Sequence, residues 1–469
     1  MTVNIVPSYS AIKKRIQLYH KIRSFQDKAP LIVLIVAGVI GTITGIVGVL
    51  FQYAVNWVIS LRKTLLFNLV DNLVINYLLI FAITGTMGGL AYYLVKRFAP
   101  ESGGSGIPEI EGALLDLRPV RWRSVLPVKF IGGIGALGSG MVLGREGPTV
   151  QLGGNIGAMV SDLLKIKNKA YRHTFLATGA AAGITAAFNA PLAGILFIIE
   201  EMRPQFRYNL TSIKAIFVGV IMASIMYQFL YNQESVFQIG HFNAVPIESL
   251  WLYLLLGTFF GVIGVLSNKC ILTLQERFKQ FYQFNQYYFV ITGFCLAGLF
   301  GVISFILPEI TGSGFDFIPD AVSGNYAINT LMIILCLRFI TTVLCFSSGA
   351  PGGIFAPTLA LGTTVGIAFG VIAQQIYPNY HIELGACAII GMGGLFAATV
   401  RAPLTGIVLV MEMSDNYQLI LPMIITCLGA TLIAQALGGM PLYTSILEKI
   451  LLRNKLQSDN TTQLTASNS

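Results

Sequence analysis

From Leu31 to Ile59, and again from Ile75 to Val95, the chain carries no charged side chain. About 20 apolar residues in a helix cross a bilayer, so each run is long enough to span one. Lipid offers backbone N–H and C=O groups no partners, which leaves only helices and closed barrels. Barrel strands alternate apolar and polar residues, and these unbroken runs do not. Composition agrees, with 55% hydrophobic and only 11% charged residues. The chain is expected to be an all-α polytopic membrane protein. Its 469 residues leave room for ten or more crossings, and its 49 glycines suit close helix packing in lipid.

The net charge of +9 does not point to nucleic acid, because the basic residues flank apolar runs. Lys13, Lys14, Arg15, Lys21, Arg23 and Lys28 lie before the first run, and Lys449, Arg453 and Lys455 follow the last. By the positive-inside rule both ends are cytoplasmic. No apolar core of a signal peptide precedes Leu31, so the first membrane helix is expected to act as the targeting signal. The expected organisation is an N-terminal arm (1–30), a membrane domain (31–452, with halves of roughly 31–230 and 250–452) and a polar tail (453–469). The six cysteines show no CxxC spacing, so neither a disulfide framework nor a metal site is expected. The four histidines are scattered and receive no role.

Two stretches depart from this lipid-compatible texture. Ser102-Gly103-Gly104-Ser105-Gly106-Ile107-Pro108 is too polar and glycine-rich for a lipid-facing helix, and such backbone is tolerated at membrane depth only around a cavity or inside protein. Gly144-Arg145-Glu146-Gly147-Pro148-Thr149-Val150-Gln151 places an acid ahead of a helical run that continues to about Leu164, with Pro148 suited to the first turn. Free N–H groups at a helix start attract anions, so a carboxylate and a mobile anion can compete for one seat. Glu146 is therefore a candidate gate in an anion pathway. The alternative is an ion pair with Arg145.

The second half repeats the first. Gly144, Pro148, Leu152, Gly153 and Gly157 match Gly353, Pro357, Leu361, Gly362 and Gly366 at an offset of 209 (353 − 144). Gly179, Ala190-Pro191-Leu192 and Glu200 match Gly391, Ala402-Pro403-Leu404 and Glu412 at 212 (391 − 179). Internal repeats with interrupted helices in corresponding places are typical of secondary transporters.

Together, Gly104-Ser105-Gly106-Ile107-Pro108, Gly144-Arg145-Glu146-Gly147-Pro148, Gly352-Gly353-Ile354-Phe355-Ala356-Pro357 and Tyr443 resemble the signatures of the CLC chloride channel and transporter family. They occur in the family's order, and the likeness runs from about Leu31 to Leu452, closest to the enterobacterial proton/chloride exchangers. The resemblance implies a CLC-type fold of two inverted repeats with many tilted, broken helices. It implies a chloride seat made by the hydroxyls of Ser105 and Tyr443 and the backbone N–H groups of Ile354 and Phe355. Neutral donors suit a halide that must also leave. Without the resemblance, Ser105 reads as a turn residue and Tyr443 as an interfacial anchor. The resemblance also implies that Glu146 is the external gate and proton acceptor and Glu201 the internal proton relay. Glu201 otherwise reads as a helix-end carboxylate paired with Arg203. Glu200 points about 100° away from Glu201 on a helix and has Glu412 as its repeat partner.

The expected activity is electrogenic proton/chloride antiport across a bacterial inner membrane by a homodimer, with a part in acid tolerance. No enzyme activity, cofactor, nucleotide or nucleic acid is implied. A passive chloride channel of the same fold is the alternative, and an acid at Glu201 argues against it. An exchanger for another anion fits Ser105 and Tyr443 less well. An intramembrane serine protease would need a histidine base at membrane depth, and none of the four is so placed. Structural ion pairs are expected for Glu109, Glu111 and Arg338, and an N-cap role for Asp415.

Overall fold

The computed structural model describes residues 31–66, 72–202, 209–231, 236–324 and 326–467. The N-terminal arm, and Arg203 with its expected contact to Glu201, lie outside the described residues. Every long element is a helix. The first half holds α1 (Leu31–Leu66), α2 (Leu73–Phe98), α3 (Ile107–Leu114), α4 (Trp122–Gly138), α5 (Glu146–Leu163), α6 (Lys169–Phe188), α7 (Pro191–Glu200) and α8 (Leu210–Leu230). The second holds α9 (Leu250–Phe284), α10 (Tyr288–Ile306), α11 (Phe317–Val322), α12 (Ile328–Ser347), α13 (Phe355–Ile376), α14 (Leu384–Val400), α15 (Pro403–Ser414), α16 (Ile420–Ala436) and α17 (Leu442–Ser467). The helix α17 runs through the expected boundary at residue 452 into the tail.

Among the described residues, eight helices are long and apolar enough to cross a membrane: α1, α2, α8, α9, α10, α12, α13 and α16. The room for ten or more crossings is not all used that way, because α3, α7 and α15 are short and α5, α6 and α14 are almost wholly buried. Leu78, Leu90, Phe229 and Ile291 are exposed on the long helices, as lipid-facing side chains must be.

Small residues set the spacing of the inner helices. A Cβ at Gly153 would collide with the carbonyl of Gly179, and a Cβ at Gly362 with that of Gly391, so α5 meets α6, and α13 meets α14, backbone to backbone. The turns that follow are built alike. Asn189 (φ 51°) and Arg401 (φ 71°) end α6 and α14 in the left-handed region. Pro191 and Pro403 then open α7 and α15, where a missing N–H costs nothing.

Contacts between the halves are reciprocal. Gly144 N donates to Gly353 O (2.8 Å), and Gly353 N donates to Gly144 O (2.7 Å), so a residue pairs antiparallel with its own repeat partner. The Glu412 carboxylate accepts from Leu192 N and Ala193 N at the start of α7 (both 2.9 Å). The Glu200 carboxylate accepts from Leu404 N (3.0 Å) and Thr405 N (2.7 Å) at the start of α15. Contacts in which i meets j′ while i′ meets j require a two-fold axis. Antiparallel pairing of the two repeat partners fits a fold whose halves are inverted against each other, as in other transporters with inverted repeats.

Two expectations fail for local reasons. Asp415 is not an N-cap: it ends α15 at φ 53°, and its neighbour Asn416 ties the chain to the loop before α9, accepting from Phe242 N and donating to Ser414 O. Arg338 makes no ion pair among the described residues. Its guanidinium is buried and donates to the carbonyls of Glu309 (2.5 Å), Thr311 (3.3 Å) and Gly312 (3.2 Å).

Candidate functional site

The repeat brings helix starts together at the centre of the protein. Glu146 is the first residue of α5 and Phe355 the first of α13, and the Gly144–Gly353 pairing holds those two starts side by side. Ser105 stands two residues before α3, in a loop where Gly104 and Gly106 have φ of 68° and 90°. That loop is fixed from both sides. Gly104 N donates to Ala350 O (3.0 Å). The wholly buried Lys129 ammonium donates to Ser102 O (2.9 Å) and Gly104 O (2.7 Å). A Cβ at Gly147 would run into Ser105, so only glycine lets the α5 start approach the Ser105 loop.

Tyr443, in the first turn of α17, stacks on Phe355 with ring centroids 6.0 Å apart at 21°. Its hydroxyl faces Ser105 and lies within electrostatic reach of Glu146, Glu201 and Glu111. Phe355 is further enclosed by Phe188, Phe197 and Phe396. All six residues named from the sequence, Ser105, Glu146, Glu201, Ile354, Phe355 and Tyr443, are buried. Five of them surround one spot, and Glu201, at the end of α7, lies within electrostatic reach of Tyr443 there.

Hydrogen bonding at this spot is incomplete. The Ser105 and Tyr443 hydroxyls face each other without completing a well-aligned hydrogen bond, and both oxygens of Glu146 and Oε1 of Glu201 also lack one. Buried polar groups are nearly always satisfied, so this cluster of unspent groups makes the spot a candidate site for an ion or water. Backbone N–H groups of Arg145, Glu146 and Ala356 surround the Glu146 carboxylate, although neither oxygen completes a well-aligned hydrogen bond. The carboxylate thus occupies a seat that suits an anion. Arg145 is not its partner. The Arg145 guanidinium lies 4.6 Å from the Phe315 ring centroid, and its Nε donates to Ala187 O (3.2 Å).

A cavity of ≈ 700 Å³ leads from the surface to Leu143 and Arg145, just before Glu146 in the chain, and is lined also by Arg62, Lys63, Glu309 and Asp316. At the other end, Glu201 has two acidic neighbours. Glu200 is spent on α15, as above. Glu111 is wholly buried with no partner for either oxygen and lies within electrostatic reach of Glu201. The ion pair expected for Glu111 is absent, because Arg118 is taken by Glu109 in a two-pronged contact (2.7 and 3.0 Å). Glu111 and Lys129 are the site residues that sequence reasoning missed. The usable signal for Glu111 was its spacing of two from Glu109, which on a helix sends one acid outward and the other inward. No group of three or more His, Cys, Asp or Glu among the described residues is placed to hold a metal ion.

The chain is similar to known proteins over most of its length. Residues 87–435 match the family described as voltage gated chloride channel. The H(+)/Cl(-) exchange transporter ClcA of Citrobacter koseri is 58% identical over 428 residues, covering 91% of this chain and 90% of the relative. The protein of the same name from Salmonella paratyphi B is 57% identical over the same lengths. Among solved structures, a slow cyanobacterial Cl-/H+ antiporter is 39% identical with a TM-score of 0.86, over 90% of this chain and 99% of that one. A eukaryotic CLC transporter, 22% identical with a TM-score of 0.73 over 89% of this chain and 74% of that one, shares the fold. With its signatures gathered at one buried spot and this likeness over nine-tenths of its length, the chain belongs to the CLC family of voltage gated chloride channels and their transporter relatives.

Proposed function

We infer that the chain is a proton/chloride antiporter in which a halide and the Glu146 carboxylate take turns at one seat. The observation that carries this reading is a wholly buried, unpaired carboxylate among helix-start amides, beside the two unspent hydroxyls of Ser105 and Tyr443. A proton arriving through the cavity beside Arg145 neutralises Glu146, and the neutral side chain leaves the seat to chloride. Chloride is then held by Ser105 Oγ, Tyr443 Oη and the N–H groups of Ile354 and Phe355. The proton continues to Glu201, with Glu111 close enough to share it. The similar proteins, an exchange transporter and an antiporter by name, support exchange over passive conduction. The process makes and breaks no covalent bond in its substrates and calls for no cofactor or nucleotide.

The direct test is proton uptake driven by a chloride gradient in proteoliposomes of the purified protein. Exchange acidifies or alkalinises the lumen against the proton gradient. A protein that lets chloride equilibrate without moving protons is a channel, and the reading fails.

The same reading places the protein in a bacterial inner membrane with both termini cytoplasmic, on the strength of the basic flanks. It works as a homodimer with one pathway per subunit. Exposed Leu192, Leu404, Ile420, Leu421 and Ile424 offer an apolar surface for the second copy. A part in acid tolerance follows from chloride-driven proton movement. Division into an arm at 1–30, a membrane domain at 31–452 and a tail at 453–469 belongs to this proposal.

A further inference from the structure

A second, much smaller cavity lies behind the chloride seat, lined by Ser267 and Asn268 of α9, Thr342 of α12, Ile354, Thr399 of α14 and Leu442. Its volume is ≈ 20 Å³, room for one water, which occupies about 10–15 Å³. Three side chains on its wall have an unpartnered polar atom: Ser267 Oγ, Asn268 Oδ1 and Thr342 Oγ1. Their residues are 6%, 5% and 2% exposed, so bulk solvent does not satisfy them.

The other polar groups there are already spent. Asn268 Nδ2 donates to Thr399 O (2.9 Å) and Met440 O (3.2 Å), which fixes the carboxamide with Oδ1 as its free end. Thr358 Oγ1 donates to Ile354 O, and Thr399 Oγ1 to Leu395 O. What remains is two hydroxyls and one acceptor-only oxygen, with no charged side chain on the wall. A halide would be repelled by the Asn268 oxygen, and a cation would have three neutral ligands where alkali and alkaline-earth ions take about six. A water molecule fits, because it can accept from both hydroxyls and donate to Asn268 Oδ1, within the two to four partners usual for a buried water.

We propose that Ser267, Asn268 and Thr342 bind one ordered water that ties α9 and α12 together behind Ile354 and Leu442, the residue before Tyr443. The water is a positioning element. Two of the four expected chloride donors, Ile354 N–H and Tyr443 Oη, stand on the first turns of α13 and α17 that this cavity backs. The effect on chloride rests on the proposed antiport reading, whereas the water itself does not.

The test has two arms. In an experimental density map of the full-length protein fine enough to show waters, one peak is expected within hydrogen-bond distance of all three atoms, and it is lost in Thr342→Val and kept in Thr342→Ser. A peak that becomes bromide after soaking, or no peak in the unaltered protein, overturns the proposal. In solution, Ser267→Ala and Thr342→Val are expected to weaken chloride binding measured by calorimetry by roughly threefold to tenfold, the effect of about one hydrogen bond. Thr342→Ser is expected to restore it. Wild-type affinity in a folded Ser267→Ala/Thr342→Val double variant overturns the positioning role. If the unaltered protein binds no chloride while the water peak is present, the antiport reading fails and the water site stands.

Discussion

Glu146 combines two properties that ordinarily exclude one another: complete burial and the lack of any well-made hydrogen bond. An acid so placed in a membrane protein costs about 2.5–3.5 kcal/mol by insertion measurements, which is tolerable where the group works. If its carboxylate imitates a halide, Glu146→Ala leaves the seat open permanently. Chloride flux in liposomes is then expected to persist while coupled proton movement falls to leak level, and continued proton pumping would remove Glu146 from the scheme. Glu201→Gln is expected to stop protons and pass chloride. Glu111→Gln separates two roles for the acid that lies beside Glu201: slowed proton transport with intact chloride flux marks a shared proton, and wild-type coupling marks a structural residue. Glu146 was legible in the sequence because glycines flank it in an apolar context. Glu111 was not, since its relation to Glu201 spans ninety positions (201 − 111) and only the packing of α3 against α6, and of α6 against α7, closes that gap. Likewise no motif in the sequence singles out Lys129, and only the fold turns it onto the Ser105 loop.

At the level of helices, function depends on how closely backbones approach. The starts of α5 and α13 meet because glycine stands at 144, 147 and 353, and their bodies are located by the Gly153–Gly179 and Gly362–Gly391 contacts. A single methyl at Gly153 has a carbonyl in its way, so one of the two helices must shift. Gly153→Ala is therefore expected to broaden or abolish the monodisperse peak on size-exclusion chromatography, whereas Gly240→Ala, with open space around it, is expected to behave as wild type. The crossed caps are a gentler probe. Glu412→Ala strips two acceptors from the start of α7, and losing a cap of this kind costs about 0.5–2 kcal/mol. A lowered melting temperature with normal exchange stoichiometry is the expected result, and an unchanged melting temperature would show that the cap contributes nothing. The sequence announced these helices through glycine and proline punctuation. It did not announce the caps, because Glu200 and Glu412 follow apolar runs and look like ordinary helix-end charges.

For the whole molecule, the duplication was readable as a near-constant offset, but its direction was not, since a repeated sequence is the same whichever way its copy is inserted. The reciprocal contacts supply the two-fold relation between the halves, and the likeness to a solved antiporter of the family supplies its inverted sense. Inversion presents one seat to both sides of the membrane, which alternate occupancy by a side chain and an ion requires. A cycle that carries chloride one way and a proton the other moves both charges in the same electrical sense. A one-for-one cycle therefore moves two elementary charges, worth about 4.6 kcal/mol per 100 mV at about 2.3 kcal/mol for each. This gives a test that needs no variant. With equal chloride on both sides of a planar bilayer, a channel passes no current at zero voltage whatever the pH. An exchanger instead takes a reversal potential from the proton gradient. For one-for-one coupling, a difference of one pH unit shifts it by about 30 mV, half of the ~59 mV that a tenfold gradient is worth to a single charge. A smaller shift reports more chloride per proton. A reversal potential fixed at zero across a range of pH gradients would mean that the inverted architecture serves conduction alone, and Glu201 would then need another explanation.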